Sequence, residues 1–136
     1  MATAPQFATT PNVGTPATLT AANTAVDGTG STGRALIFTA GSSGSYLKKA
    51  KSNPKGTNIK TVQRFFLNNG SDPEVAGNNV LIAEMTIPAN TLDQDDESIT
   101  TEEVLDMAIP ASFRVYSTLG TAVAAGVHTL IEGGNY

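Results

Sequence analysis

A chain of 136 residues fits one domain and has no room for two full cores. It contains no cysteine, which excludes disulfides, thiolate metal sites and a thiol nucleophile. The formal charge of −4 runs against nucleic-acid binding, which calls for a basic face.

Residues 1–33 are rich in Ala, Thr, Gly, Pro and Asn, with Phe7, Val13, Leu19 and Val26 as the larger apolar groups. So little apolar surface does not offset the entropy of ordering the backbone. The composition predicts an extended N-terminal arm, either laid across a partner or frayed. Its opening has no basic n-region and no apolar h-region, unlike a signal peptide. No apolar run is long enough to cross a bilayer. The expectation is therefore a soluble chain made in a cytoplasm, without membrane partners.

From residue 34 to 136 the pattern is that of strands. Residues 34–40 are an apolar run with β-branched and aromatic members, closed by Gly41 and Gly44. Residues 45–51 are a second strand, leading to a turn at Asn53, Pro54, Lys55 and Gly56. Residues 59–67 end at Asn68-Asn69-Gly70, a strong turn signal, and residues 79–87 run up to Pro88 as the clearest strand of all.

Residues 98–109 admit two readings. Val104, Leu105, Met107 and Ala108 can line a short helix capped by Thr100 or Thr101. Alternation of Ile99, Thr101, Glu103, Leu105, Met107 and Ile109 gives a strand, and the strand is the reading adopted. Over 112–119, Phe113, Val115 and Ser117 share one face, with Arg114, Tyr116 and Thr118 on the other. Residues 123–132 are the last strand. Seven or eight short antiparallel strands separated by turns predict an all-β, jelly-roll-like β-sandwich over 34–136.

Arrangements that carry chemistry are incomplete. His128 is the sole histidine, flanked by Val127, Thr129 and Leu130; it lacks companions for a metal site or a triad. Residues 93–97 hold Asp93, Asp95, Asp96 and Glu97, carboxylates of the type that bind Ca²⁺, but without the glycine and spaced bidentate Glu of an EF-hand loop. A solvated inter-strand loop is the better reading. Lys48, Lys49, Lys51 and Lys55 have one aromatic neighbour, Tyr46, too few stacking platforms for nucleic acid, and read as a solvated strand edge. No catalytic residue, metal ligand or cofactor site is assigned.

Charge divides the chain. Arg34 to Arg64 holds all the bases except Arg114, while the acids other than Asp27 lie between Asp72 and Glu132. Either the halves interleave within the fold and mix their charges, which is the reading favoured, or they attract between neighbouring copies.

Three segments read together, residues 62–70, 81–88 and 127–136, with the opening residues 4–14, resemble a group of small structural proteins of tailed bacteriophages. The resemblance implies an arm followed by a β-sandwich, and a virion component without enzymatic activity. Such parts include capsid decoration (cement) proteins, which bind the major capsid protein and neighbouring copies of themselves, a homotrimer by analogy, on the capsid exterior. Tail, neck or fibre components are the alternative within that group. A carbohydrate-binding β-sandwich is the third reading, weakened by the lack of Trp. Residues 93–106 match the group's pattern poorly, and the resemblance carries no site residues.

Overall fold

The computed structural model describes residues 8–136. Nine strands and one 3-10 turn account for its regular structure: β1 (Thr10–Asn12), β2 (Ala17–Leu19), β3 (Ala35–Thr39), β4 (Ser45–Pro54), β5 (Thr61–Asn68), β6 (Asn79–Ile87), β7 (Thr101–Ile109), β8 (Arg114–Leu119) and β9 (Val127–Asn135), with the turn at Ala76–Asn78. They form two antiparallel sheets. One has the order β1-β9-β4-β7, with β2 also on β9; the other is β3-β8-β5-β6.

The pairing is that of a long hairpin rolled up. β5 pairs β6 at its closed end; outward from there β4 pairs β7, β3 pairs β8, and β1 and β2 pair β9. Rolling then brings β4 against β9 and β5 against β8. This is the jelly-roll arrangement, with its first strand interrupted between β1 and β2. The all-β sandwich expected from strand spacing is the observed fold.

Residues 8–33 differ from the expected arm; residues 1–7 lie outside the described residues. β1 pairs Thr10 to Asn12 with Asn135 to Gly133, and β2 pairs Ala17 to Leu19 with Thr129 to Val127. Leu19 enters the core at 3% exposure. The ladder supplied by β9 orders a segment whose own side chains offer too little apolar surface to do so.

Between the sheets lie Leu19, Ile37, Phe38, Leu47, Ala50, Phe65, Met85, Ile87, Ile109, Val115, Leu119, Val123, Val127 and Ile131. A polar ring crosses this core. Ser52 donates to Gln63 Oε1 (2.6 Å), Gln63 Nε2 donates to Thr129 Oγ1 (3.0 Å), and the Ser52 and Thr129 hydroxyls share a bond of 2.9 Å. Gln63 Nε2 also donates to Ser117 Oγ (2.8 Å), which donates to the carbonyl of Arg64 (3.0 Å). Each side-chain polar atom of this ring thereby finds a partner, and β4, β5, β8 and β9 are tied across the two sheets.

β7 settles the ambiguity over residues 98–109 as a strand: Thr101, Glu103, Leu105, Met107 and Ile109 turn inward from more exposed neighbours. β4 runs through the expected turn, since Asn53 and Pro54 pair with His128 and Val127. Pro54 is tolerated because β7 ends opposite Ser52, so no partner on that side requires its missing N–H.

Candidate functional site

The outer faces of the two sheets are built differently. On β5 and β8, register places Phe66 beside Tyr116, both pointing away from the core, yet Phe66 is fully buried and Tyr116 nearly so. The guanidiniums of Arg34 and Arg114 lie over the Tyr116 ring, 5.2 and 5.9 Å from its centroid. The segment between β2 and β3 crosses this face, held at one end by Asn23 N to the Leu119 carbonyl (2.7 Å) and at the other by Asn79 Nδ2 to the Asp27 carbonyl (3.1 Å). Asn23 Nδ2 gathers the carbonyls of Thr29, Gly30 and Thr32, and Glu74 ties the segment down through Gly30 N and Arg34. Asp27 accepts from the hydroxyl and the N–H of Thr29, and these bonds hold its carboxyl below the usual range.

The outer face of the other sheet is open and charged. Lys49 meets Glu102 (3.3 Å), and Lys51 lies between Glu102 (3.7 Å) and Glu132 (3.3 Å). With Arg34–Glu74 and Arg64–Glu84, every ion pair among the described residues joins a base of the first half to an acid of the second. The halves interleave and mix their charges, as favoured from the sequence. The lysines do not form a strand edge, however: β4 is a central strand between β9 and β7. A bulge at Lys48 shifts the alternation there, turning Leu47 and Ala50 inward on either side of the lysine pair.

His128 lies on this open face, exposed, its Nδ1 3.1 Å from Thr18 Oγ1. It borders a shallow groove of about 360 Å³ lined by Pro16, Ala17, Asn53, Thr100 and Leu130 among others. No acid forms an ion pair with it, so the structure brings no triad or metal set together around it among the described residues. Tyr46 sits further along the same face with Gly134 on one side and Ala108 on the other.

The acidic run lies in the loop between β6 and β7, at one end of the sandwich. Asp93, Asp95, Asp96 and Glu97 are exposed, and none has a basic partner among the described residues. This loop is clamped to the one between β4 and β5. Asn58 and Asn90 exchange backbone bonds of 2.8 and 3.0 Å, Asn58 Nδ2 donates to the Ile59 and Pro88 carbonyls, and Asn90 Nδ2 donates to the Gly56 carbonyl and Ser98 Oγ. Leu92 N adds a bond to Thr57 Oγ1 (3.0 Å).

On this clamped pair stand Ile59, Leu92 and Ile99, 60%, 51% and 52% exposed. Branched aliphatics held out on hydrogen-bonded loops beside unpaired carboxylates have the make-up of a protein docking surface. The acids are legible in the sequence and the aliphatics are not, because the three are scattered over 41 positions and only tertiary bonds around Asn58 and Asn90 join their loops.

No protein-family model, curated protein or solved structure matches the chain.

Proposed function

We propose that this chain is a non-enzymatic structural protein of a tailed-phage virion, a capsid decoration protein that binds the major capsid protein and neighbouring copies on the shell exterior. One observation carries the reading: the clamped loop pair that holds Ile59, Leu92 and Ile99 in solvent on the loops that carry four carboxylates without a basic partner among the described residues. Side-chain bonds from Asn58 and Asn90 fix these loops before any partner arrives, so little ordering entropy is lost on docking. The segment resemblance supplies the class of assembly, and the jelly roll supplies a rigid platform.

Imaging of purified particles at high resolution tests the proposal. The expected result is density for this chain outside the shell, with Ile59, Leu92 and Ile99 against the capsid subunit. Density confined to the tail or neck would overturn it. On the decoration reading, Leu92→Asp leaves the fold intact and lowers shell occupancy at least tenfold.

A further inference from the structure

Asn69-Gly70 is the sole Asn-Gly pair of the chain. Asparagine is among the chemically labile residues, and a following glycine makes it more so. Having no Cβ, the glycine leaves its backbone nitrogen unhindered to attack the carboxamide carbon before it. The nitrogen gives up its proton and bonds to that carbon, the carboxamide C–N bond breaks, and ammonia leaves a five-membered succinimide. Water then opens the ring to aspartate or isoaspartate, so that one water is taken up for each ammonia lost. Both residues are exposed at the start of the loop between β5 and β6, within reach of the solvent that the reaction consumes.

The nucleophile, however, is engaged. Gly70 N donates to Asn68 Oδ1 at 2.8 Å, a bond from the backbone to the side chain two residues earlier. Asn68 is fully buried, and its orientation is not free. Its Nδ2 donates to Asn79 Oδ1 (2.9 Å), and Asn79 Nδ2 donates to the carbonyls of Asp27 (3.1 Å) and Pro73 (2.8 Å). Carbonyls only accept, so Asn79 must turn its nitrogen to them and its oxygen to Asn68. Asn68 must then give Asn79 its nitrogen and keep its oxygen for Gly70. The Asn69 carboxamide is held as well, its Oδ1 accepting from Ser71 N (3.0 Å) and its Nδ2 donating to Asn78 Oδ1 (3.2 Å). Ring closure requires the Gly70 nitrogen to drop its bond and approach the carboxamide carbon to about 3–3.5 Å before reacting.

We propose that Asn69 is a latent self-modification site that deamidates through a succinimide, and that Asn68, oriented by Asn79, is the positioning residue that holds the reaction off in the folded chain. The relay begins at Asp27, in the segment that covers Phe66 and Tyr116, so two amides connect the covering layer to the turn. Modification brings a carboxylate into a loop that already holds Asp72 and Glu74. Isoaspartate also lengthens the backbone by one carbon directly after the last residue of β5. No part of this chemistry depends on the virion reading.

The test is ageing of the full chain in mildly alkaline buffer, with deamidation read by peptide mass spectrometry as a mass gain at residue 69. Isomerisation at Asp27-Gly28 leaves the mass unchanged and does not interfere. The folded, unsubstituted chain is expected to react at least tenfold more slowly than the same chain in urea. Asn69→Gln should abolish the mass gain, since glutamine would have to close a larger ring. Asn68→Ala should raise the folded-state rate at least tenfold while the chain still melts cooperatively, and Asn79→Ala decides the matter if that variant does not fold. Ile131→Val, a core change on β9 in the other sheet, should leave the rate unchanged. A chain that reacts equally fast folded and in urea would overturn the proposal, as would a rate that neither asparagine variant moves. Equal acceleration by Ile131→Val would mean that reaction passes through global unfolding, and would overturn the role of Asn68. A mass gain arising first at another asparagine would overturn the site.

Discussion

The two sheets obey the same alternation rule, yet their outer faces have opposite fates. On β5 and β8 the outward row includes Phe66 and Tyr116, and the chain spends the segment from Asn23 to Arg34 in covering them. On β4, β7 and β9 the outward row is Lys49, Lys51, Glu102, Glu132 and His128, and no comparable segment is laid across it among the described residues. Apolar residues placed outward by register thus demand an added layer, whereas charged ones complete a face by pairing across strands.

Removing the cover is the harshest way to break this contrast. Deleting residues 2–30 takes away β1, β2, the core residue Leu19 and most of the covering segment. The expected outcome is loss of the cooperative unfolding transition in calorimetry. A truncated chain that still melted cooperatively would show that β9 needs no outer partner. Phe66→Ala leaves the cover in place but empties what it covers, and should cost about 3–5 kcal/mol in denaturant unfolding. A loss below about 1 kcal/mol would mean the face collapses freely onto the gap. Lys51→Ala on the open face should cost less than about 1 kcal/mol, because its carboxylate partners are 44% and 33% exposed, with the loss shrinking further at high salt.

Much of the sandwich was legible because its strands keep period two over six or more residues. β6 was bounded correctly as residues 79–87, and the inward set of β7 follows the Ile99-to-Ile109 alternation. Phe113, Val115 and Ser117 were placed together and do share the core side, with Tyr116 and Thr118 opposite. What escaped reading has local physical causes. Phe65 and Phe66 are adjacent and both fully buried, which no two-faced strand pattern allows unless a second layer exists. The bulge at Lys48 disguised a central strand as a lysine-rich edge. β1 and β2 carry almost no hydrophobic signal, since their order comes from β9 more than 100 residues away. The docking surface was half visible: its acids are clustered in sequence, but the loops that carry its aliphatics are joined by tertiary bonds around Asn58 and Asn90.

The position of β9 has a consequence for how the molecule is made. It lies between β4 on one flank and β1 and β2 on the other, so the strand nearest the end of the sequence is central to its sheet. During synthesis the β5–β6 hairpin can close early, because β5 and β6 are consecutive strands and pair locally. β4 can pair β7 beforehand, but β1 and β2 must wait until residues 127–135 leave the ribosome. The sheet that bears the charged face is therefore completed only when β9 inserts beside β4, and its closure is set by long-range pairing rather than by growth from the N-terminus.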